Sequence, residues 1–358
     1  MTTDQKPKSM ATDSLIAASE IGRLLDDGLL VADPIGVVSS ANNVAVRFLG
    51  EGLVGKHLND IFERDEPVGD NDQGAIGEID QEFTFQPESV VPRTFKVRVK
   101  KVSDGHIAAL VMDMTLQRNL EKVRRDFVAN VSHELRSPLT SLAGFIETML
   151  SNDVEDRNTQ IRFLRIMDEE AKRMSRLIDD LLSLSRVEVD EHIYPSETVP
   201  VISVVRAVID TLEARAARKG MQIELDDRRP EPASVALMFG HSDEINEVFH
   251  NLIENAIKYG HDDSIITVRV EASEQNILTA SVINKGDVIR DKHVNRLTER
   301  FYRVDKARSR QIGGTGLGLA IVKHIVNRHR GKLVITSQMD GTNCFAVELP
   351  LISRMTQE

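Results

Sequence analysis

The chain has 358 residues, enough for two or three domains at roughly 150 residues each. With 41 % hydrophobic and 28 % charged residues it is neither disordered nor fibrous in composition. Its 45 Lys and Arg against 56 Asp and Glu give a net charge of −11, which argues against non-specific nucleic-acid binding.

The N-terminal residues 1–18 read as a flexible lead, and Met1 to Asp13 is polar, without the apolar core of a secretory signal. No run approaches the roughly 20 apolar residues of a membrane span. The single cysteine, Cys344, excludes an intrachain disulfide and a cysteine-rich metal cluster, and reads as a small buried hydrophobe. Together these features imply a cytoplasmic chain, with its signal arriving from inside the cell or through a partner, a membrane-associated sensor included.

From Ile21 to Met114 short apolar runs alternate with turns. Residues 28–33, 37–38, 82–85, 93–99 and 106–112 read as strands, and a helix is expected from Asn43 to Phe62. Asp65 to Glu78 reads as an acidic, glycine-containing loop. This pattern predicts a small α+β domain, and the segment 19–115 resembles a PAS sensor domain, with Asp113, Met114 and Thr115 resembling the Asp-x-Thr that often closes one.

Beyond Thr115 the period changes to helical. Phe127, Val131, Leu135, Leu142, Phe145 and Met149 form one stripe, and Leu164, Met167, Ala171, Met174, Ile178 and Leu181 follow a 3-4-3-4 spacing. Two such helices predict a hairpin over 116–192 whose apolar stripes need a second copy, hence a dimeric four-helix bundle. From Pro200 onward helices (202–218, 242–260, 316–329) alternate with strands (221–226, 235–239, 266–272, 277–284, 332–338, 344–350). The order fits a mixed sheet with helices on one face rather than a doubly wound sheet.

Three stretches carry chemistry. In the first helix His133 lies almost opposite the apolar stripe, so it points outward, with Glu134 beside it, Ser137 one turn on and Pro138 expected to kink the helix just beyond. A neutral, exposed imidazole can attack phosphorus if a carboxylate takes its other ring proton, and Glu134 is placed to do so. In the second, Asn251, Asn255 and Lys258 share one helix face, and two carboxamides with a lysine can hold hydrated Mg²⁺ and a polyphosphate. In the third, Gly313, Gly314, Gly316 and Gly318 lead into a helix whose N–H groups can meet phosphate oxygens. Each alone is equally well read as a solvated helix face or a hinge loop.

In this order the three stretches resemble the H, N and G2 boxes of sensor histidine kinases, with Phe301 to Asp305 resembling the F box that begins the mobile ATP lid. Residues 124–133, 296–305 and 323–331 look most like phosphate-regulon sensor kinases of the α-proteobacterial kind. The resemblance implies a PAS-like α+β domain, an antiparallel helical hairpin forming a dimeric four-helix bundle, and an α/β sandwich over 198–352 of the type shared with gyrase and Hsp90. It implies Mg²⁺-ATP as cofactor, autophosphorylation of His133 and transfer to the receiver domain of a response regulator. Asn255 would hold the metal. Asn251, Lys258, Tyr259, Asn284, Gly286 and Arg303 would contact nucleotide, and Gly314, Thr315, Gly316, Leu317 and Gly318 would close over the phosphates. Ser137 stands where the family often orients a water for dephosphorylating its partner, so phosphatase activity is expected.

One box departs from the family. Where Asp-x-Gly-x-Gly is usual, this chain reads Asn284, Lys285, Gly286, Asp287 and Val288. Asn284 keeps a carbonyl acceptor without a charge, a loss of roughly 1 kcal/mol or more from a charge-assisted bond, and Val288 puts a β-branched side chain where bare backbone is usual. The departure favours an alternative, an ATP-impaired scaffold or phosphatase-biased regulator. A gyrase-like ATPase is a second alternative, which the outward His133 and Glu134 pair disfavours.

Overall fold

The computed structural model describes residues 26–62, 79–85, 93–102, 105–151, 156–230, 236–273, 275–305 and 314–352. The N-terminal lead, the acidic loop, residues 152–155 of the hairpin turn and Gly313 lie outside the described residues. The chain divides into two compact units, Met1–Ala129 and Asn130–Glu358.

In the first unit, strands β1 (Gly28–Ala32), β2 (Val38–Ala41), β3 (Ile79–Phe85), β4 (Arg93–Lys101) and β5 (Ile107–Asp113) form one antiparallel sheet in the order β2-β1-β5-β4-β3. Alternate residues Leu30, Ala32, Phe95, Val97, Val99, Ile107, Ala109 and Val111 are buried, the period-2 signature of a sheet with one face in the core. The single helix expected over 43–62 is instead two, α1 (Asn43–Leu49) and α2 (Leu58–Ile61). Gly50, Gly52 and Gly55 between them all take positive φ, which no helix accommodates. His57 restarts the helix by accepting a hydrogen bond from the Asn59 amide at 3.2 Å.

Helix α3 (Thr115–Leu150) runs unbroken through the buried Pro138, and α4 (Arg157–Asp190) returns after an Asp156 cap that accepts from the Asn158 and Thr159 amides. Phe145 and Phe163 meet between the two helices as a tilted pair with ring centroids 5.0 Å apart. The stripe of α3 from Phe127 to Met149 is half-buried throughout, as its spacing predicts. In α4 the fully buried residues are Leu177, Leu184 and Val187, none of them in the predicted 3-4-3-4 set. The reason is a second contact face: the C-terminal half of α4 packs on α8 (Gly318–Arg328), while Leu164 and Ile178 stay 53 % and 45 % exposed.

The rest of the second unit is a five-stranded mixed sheet, β11-β12-β10-β9-β7, with only β7 and β9 parallel. Its strands are β7 (Gln222–Asp227), β9 (Ile265–Ala272), β10 (Ile277–Lys285), β11 (Lys332–Ser337) and β12 (Thr342–Pro350). Helices α5 (Val201–Ala217), α6 (Ser242–Tyr259) and α8 pack together and on the sheet. This is the predicted architecture. Two small features were not foreseen, the pairing of β6 (Thr198–Pro200) with β8 (Leu237–Phe239) and the one-turn α7 (Asp291–Val294). Cys344 is half-buried on β12 rather than fully buried, and burial raises its thiol pKa.

Candidate functional site

Helix α6 is amphipathic for a visible reason. Ile245, Val248, Phe249, Leu252, Ile253, Ala256 and Ile257 are buried, which turns Asn251, Glu254, Asn255 and Lys258 toward a cavity of about 490 Å³. The Asn251 amide nitrogen donates to the Glu247 carbonyl at 3.0 Å, fixing its carboxamide. Lys258 donates to the Glu254 carboxylate at 2.9 Å, and Arg215 donates to the same carboxylate at 2.5 Å. Burial alone would raise the Glu254 pKa, but these two cations hold it below the ordinary value.

The glycine-rich stretch forms the opposite wall. Gly314, Thr315, Gly316 and Gly318 all line the cavity. Gly316 takes φ +76° and lies so close to Phe301 that a Cβ would sit 3.0 Å from its backbone, while the Phe301 amide donates to the Gly316 carbonyl at 2.8 Å. A Cβ on Gly318 would lie 2.5 Å from Asn251 Oδ1, so this glycine is what lets the carboxamide reach the N-terminus of α8. The floor is apolar, with Val288, Ile289, Leu297 and Phe345, and carries two buried amides, Asn284 and Asn343.

Most of the residues singled out in the sequence therefore meet in one place: Asn251, Asn255, Lys258, Tyr259, Asn284, Arg303, Gly314, Thr315, Gly316 and Gly318 share the cavity lining. Two do not. Gly286 is buried beside it, where a Cβ would lie 2.8 Å from the Tyr259 carbonyl, and Leu317 is fully buried. Leu317 offers its amide, which donates to Thr315 Oγ1 at 3.3 Å, instead of its side chain. Residues missed by the sequence reading are Arg176 and Asp180 from α4, Arg215, and Asn343. Only Asn343 had a signal, its place in the final strand.

His133 and Ser137 are exposed on α3, as expected for an outward-facing pair. Among the described residues no hydrogen bond joins His133 to Glu134, the neighbour expected to take its ring proton. Glu134 Oε2 accepts from Arg173 at 3.0 Å and from Arg303 at 3.2 Å, charge-assisted contacts with two guanidiniums, whereas side chains adjacent in a helix do not face each other. Arg303 is only 6 % exposed, lines the cavity and keeps Nε buried without a partner. It thus links the cavity to the residue following His133.

The hairpin also closes on the cavity through α4. Thr315 Oγ1 donates to Asp180 Oδ2 at 2.6 Å, Ser183 donates to Glu247 at 2.6 Å, and Arg300 donates to Glu188 at 2.5 Å. Burial raises the pKa of both Asp180 and Glu247, with the hydroxyl hydrogen bonds opposing it. Among the described residues no group of three His, Cys, Asp or Glu side chains is arranged for a metal ion. The Asn255 carboxamide, a neutral oxygen ligand, suits instead a hydrated divalent ion that keeps its waters and arrives with phosphate.

Comparison with known proteins agrees with this geometry. Residues 123–189 match the His Kinase A (phospho-acceptor) domain, and residues 240–353 match the histidine kinase-, DNA gyrase B- and HSP90-like ATPase family. The phosphate regulon sensor protein PhoR of Pseudomonas aeruginosa is 44 % identical over 229 residues, covering 64 % of this chain and 50 % of that one, so this chain spans about half its length. The sensor protein kinase WalK of Staphylococcus aureus is 33 % identical over 340 residues, covering 91 % of this chain and 79 % of that one. Among solved structures, the histidine kinase ThkA, in complex with the response regulator protein TrrA, covers 93 % of this chain and 98 % of its own at a TM-score of 0.51 and 18 % identity, a likeness of fold.

Proposed function

The chain belongs to the sensor histidine kinase family, and from that premise we propose that it transfers the γ-phosphoryl group of ATP to His133 and passes it to an aspartate in the receiver domain of a response regulator. The observation that carries this reading is the shared cavity: the amide face of α6 and the glycine-rich entry to α8 line it, and Arg303 joins it to Glu134.

In this reading a ring nitrogen of His133 attacks the γ-phosphorus, the bond to the bridging oxygen breaks, and ADP leaves. Phosphoryl transfer asks chiefly for positioning and charge neutralisation. Asn251, Lys258 and Tyr259 hold the nucleotide, and the amides of Gly314, Thr315, Gly316, Leu317 and Gly318 face its phosphates. Asn255 is the residue that would hold Mg²⁺, which when bound neutralises phosphate charge. Glu134 accepts the imidazole proton once Arg173 and Arg303 have released it, so the arrangement described here is a resting one. Arg303, freed from Glu134, has its donors for the γ-phosphate.

Ser137, exposed one turn from His133, supports phosphatase activity toward the partner. The exposed Leu164 and Ile178 support a homodimer built on the hairpin. The strand order β2-β1-β5-β4-β3 supports the PAS-like reading of the first unit. The likeness to PhoR supports a role in phosphate-responsive signalling. The reading puts both units in the cytoplasm, where ATP and receiver domains are found, with a membrane-associated sensory partner as a route for the signal.

A phosphatase-biased or scaffold role is the second reading, favoured by Asn284 in the cavity floor and by the 43 % exposed Val288. Incubation with γ-labelled ATP separates them. Acid-labile, base-stable label that disappears in His133→Ala supports the kinase, and release of free phosphate alone indicates an ATPase. Absence of both leaves the scaffold.

A further inference from the structure

Asn284 and Asn343 face each other as direct partners in the β10–β12 ladder, both line the cavity, and they are 3 % and 5 % exposed. The orientation of Asn343 is fixed. Its Nδ2 donates to the Asp287 carbonyl at 3.1 Å, which leaves Oδ1 as an acceptor that is buried and has no partner. A buried acceptor without a donor is destabilising, so a group bringing an N–H belongs opposite it. Among the described residues the Asn284 carboxamide has no hydrogen-bond partner. Its Nδ2 lies 3.2 Å from the place a Cβ on Gly286 would take and 3.4 Å from that of Gly260, so two glycines make the space it occupies.

Taking the nucleotide reading above as its basis, we infer that Asn284 and Asn343 form a base-recognition pair that admits 6-oxopurine as well as 6-aminopurine nucleotides. A carboxamide offers both an acceptor and donors. In one orientation Asn284 accepts from an exocyclic N6–H and donates to ring N1. Turned over, it donates to O6 and accepts from N1–H. A carboxylate at this position has acceptors only and repels the O6 lone pairs, so it would enforce the amino base. Asn343 Oδ1 accepts the second N6–H of the amino base; the 6-oxo base has a single N–H on this edge, at N1, which Asn284 and Asn343 Oδ1 share in a three-centre bond. The surrounding Val288, Ile289, Leu297 and Phe345 contact ring faces and do not distinguish the two bases.

The test is displacement of trinitrophenyl-ADP, a fluorescent probe, from the full chain by ADP and by IDP, which differ only in the 6-substituent and its N1 proton and cannot transfer a γ-phosphoryl group. IDP should bind within tenfold of ADP in the wild-type chain, and Asn284→Asp should widen the ADP:IDP ratio at least a further tenfold. A wild-type ratio above tenfold, or a ratio unchanged by Asn284→Asp, overturns the inference while leaving the nucleotide site intact. A chain from which neither diphosphate displaces the probe overturns the nucleotide reading itself. If Asn284→Asp fails to fold by circular dichroism, the wild-type ratio decides alone.

Discussion

Gly318→Ala tests whether the two walls of the cavity act as one. The added methyl would lie 2.5 Å from Asn251 Oδ1, so the carboxamide must retreat by roughly 1 Å to regain ordinary contact. That movement breaks the 3.0 Å bond from Asn251 to the Glu247 carbonyl, worth about 1 kcal/mol. At the first residue of a helix alanine returns less than the roughly 1 kcal/mol it returns over glycine in a helix interior, so the net loss of stability should stay below about 1 kcal/mol and the melting temperature should fall by no more than about 4 °C. Affinity should respond very differently. Losing a hydrogen bond to a charged phosphate costs about 1.5–3 kcal/mol, or roughly 10- to 150-fold in Kd. Calorimetric titration with Mg²⁺ and a non-hydrolysable ATP analogue measures this, with Asn251→Ala and the double variant completing a cycle. Gly318→Ala should add little in the Asn251→Ala background. A full loss persisting there would refute the reasoning, because the methyl would then be acting on the phosphates directly.

Three further outcomes follow from the same contacts. Burial holds the Asp180 pKa above its ordinary value of 3.8, so its contribution to folding is present below that pH and is lost as pH rises through the raised value. The nucleotide-free Asp180→Asn variant should therefore gain melting temperature over wild type more at pH 8 than at pH 4, and a pH-independent difference would contradict the burial argument. Ser137→Ala should slow dephosphorylation of the partner receiver domain about tenfold or more while His133 still accepts label; equal dephosphorylation rates would remove Ser137 from that role. Leu164→Asp combined with Ile178→Asp should weaken self-association at least tenfold in sedimentation velocity, because a like-charged apolar face cannot be buried, and an unchanged dimer would show that another surface holds it.

What the sequence revealed and what it hid divide along physical lines. The amphipathic α6 was legible because its apolar and amide positions repeat within one helix, so a local period names both faces. The glycines of 314–318 were legible for a similar reason, being clustered at a helix start. The pairing of Asn284 with Asn343 was not, since strand register joins residues far apart in the chain. The split of residues 43–62 into α1 and α2 was written in Gly50, Gly52 and Gly55, but apolar periodicity on either side masked it. In α4 the spacing marked one apolar face, and it could not reveal that the buried residues Leu177, Leu184 and Val187 answer to a different neighbour. Glu134 was placed correctly on its helix. Its two arginine partners come from α4 and from the loop before α8, and no local pattern announces them.

The bare leucine and isoleucine side chains on α4 have a thermodynamic corollary. If their burial requires a second copy, then melting temperature, turnover per chain and resistance to proteolysis all become functions of how many copies share a volume. Dilution alone would then act as a destabilising agent, and values measured at nanomolar and at micromolar chain would describe different thermodynamic states.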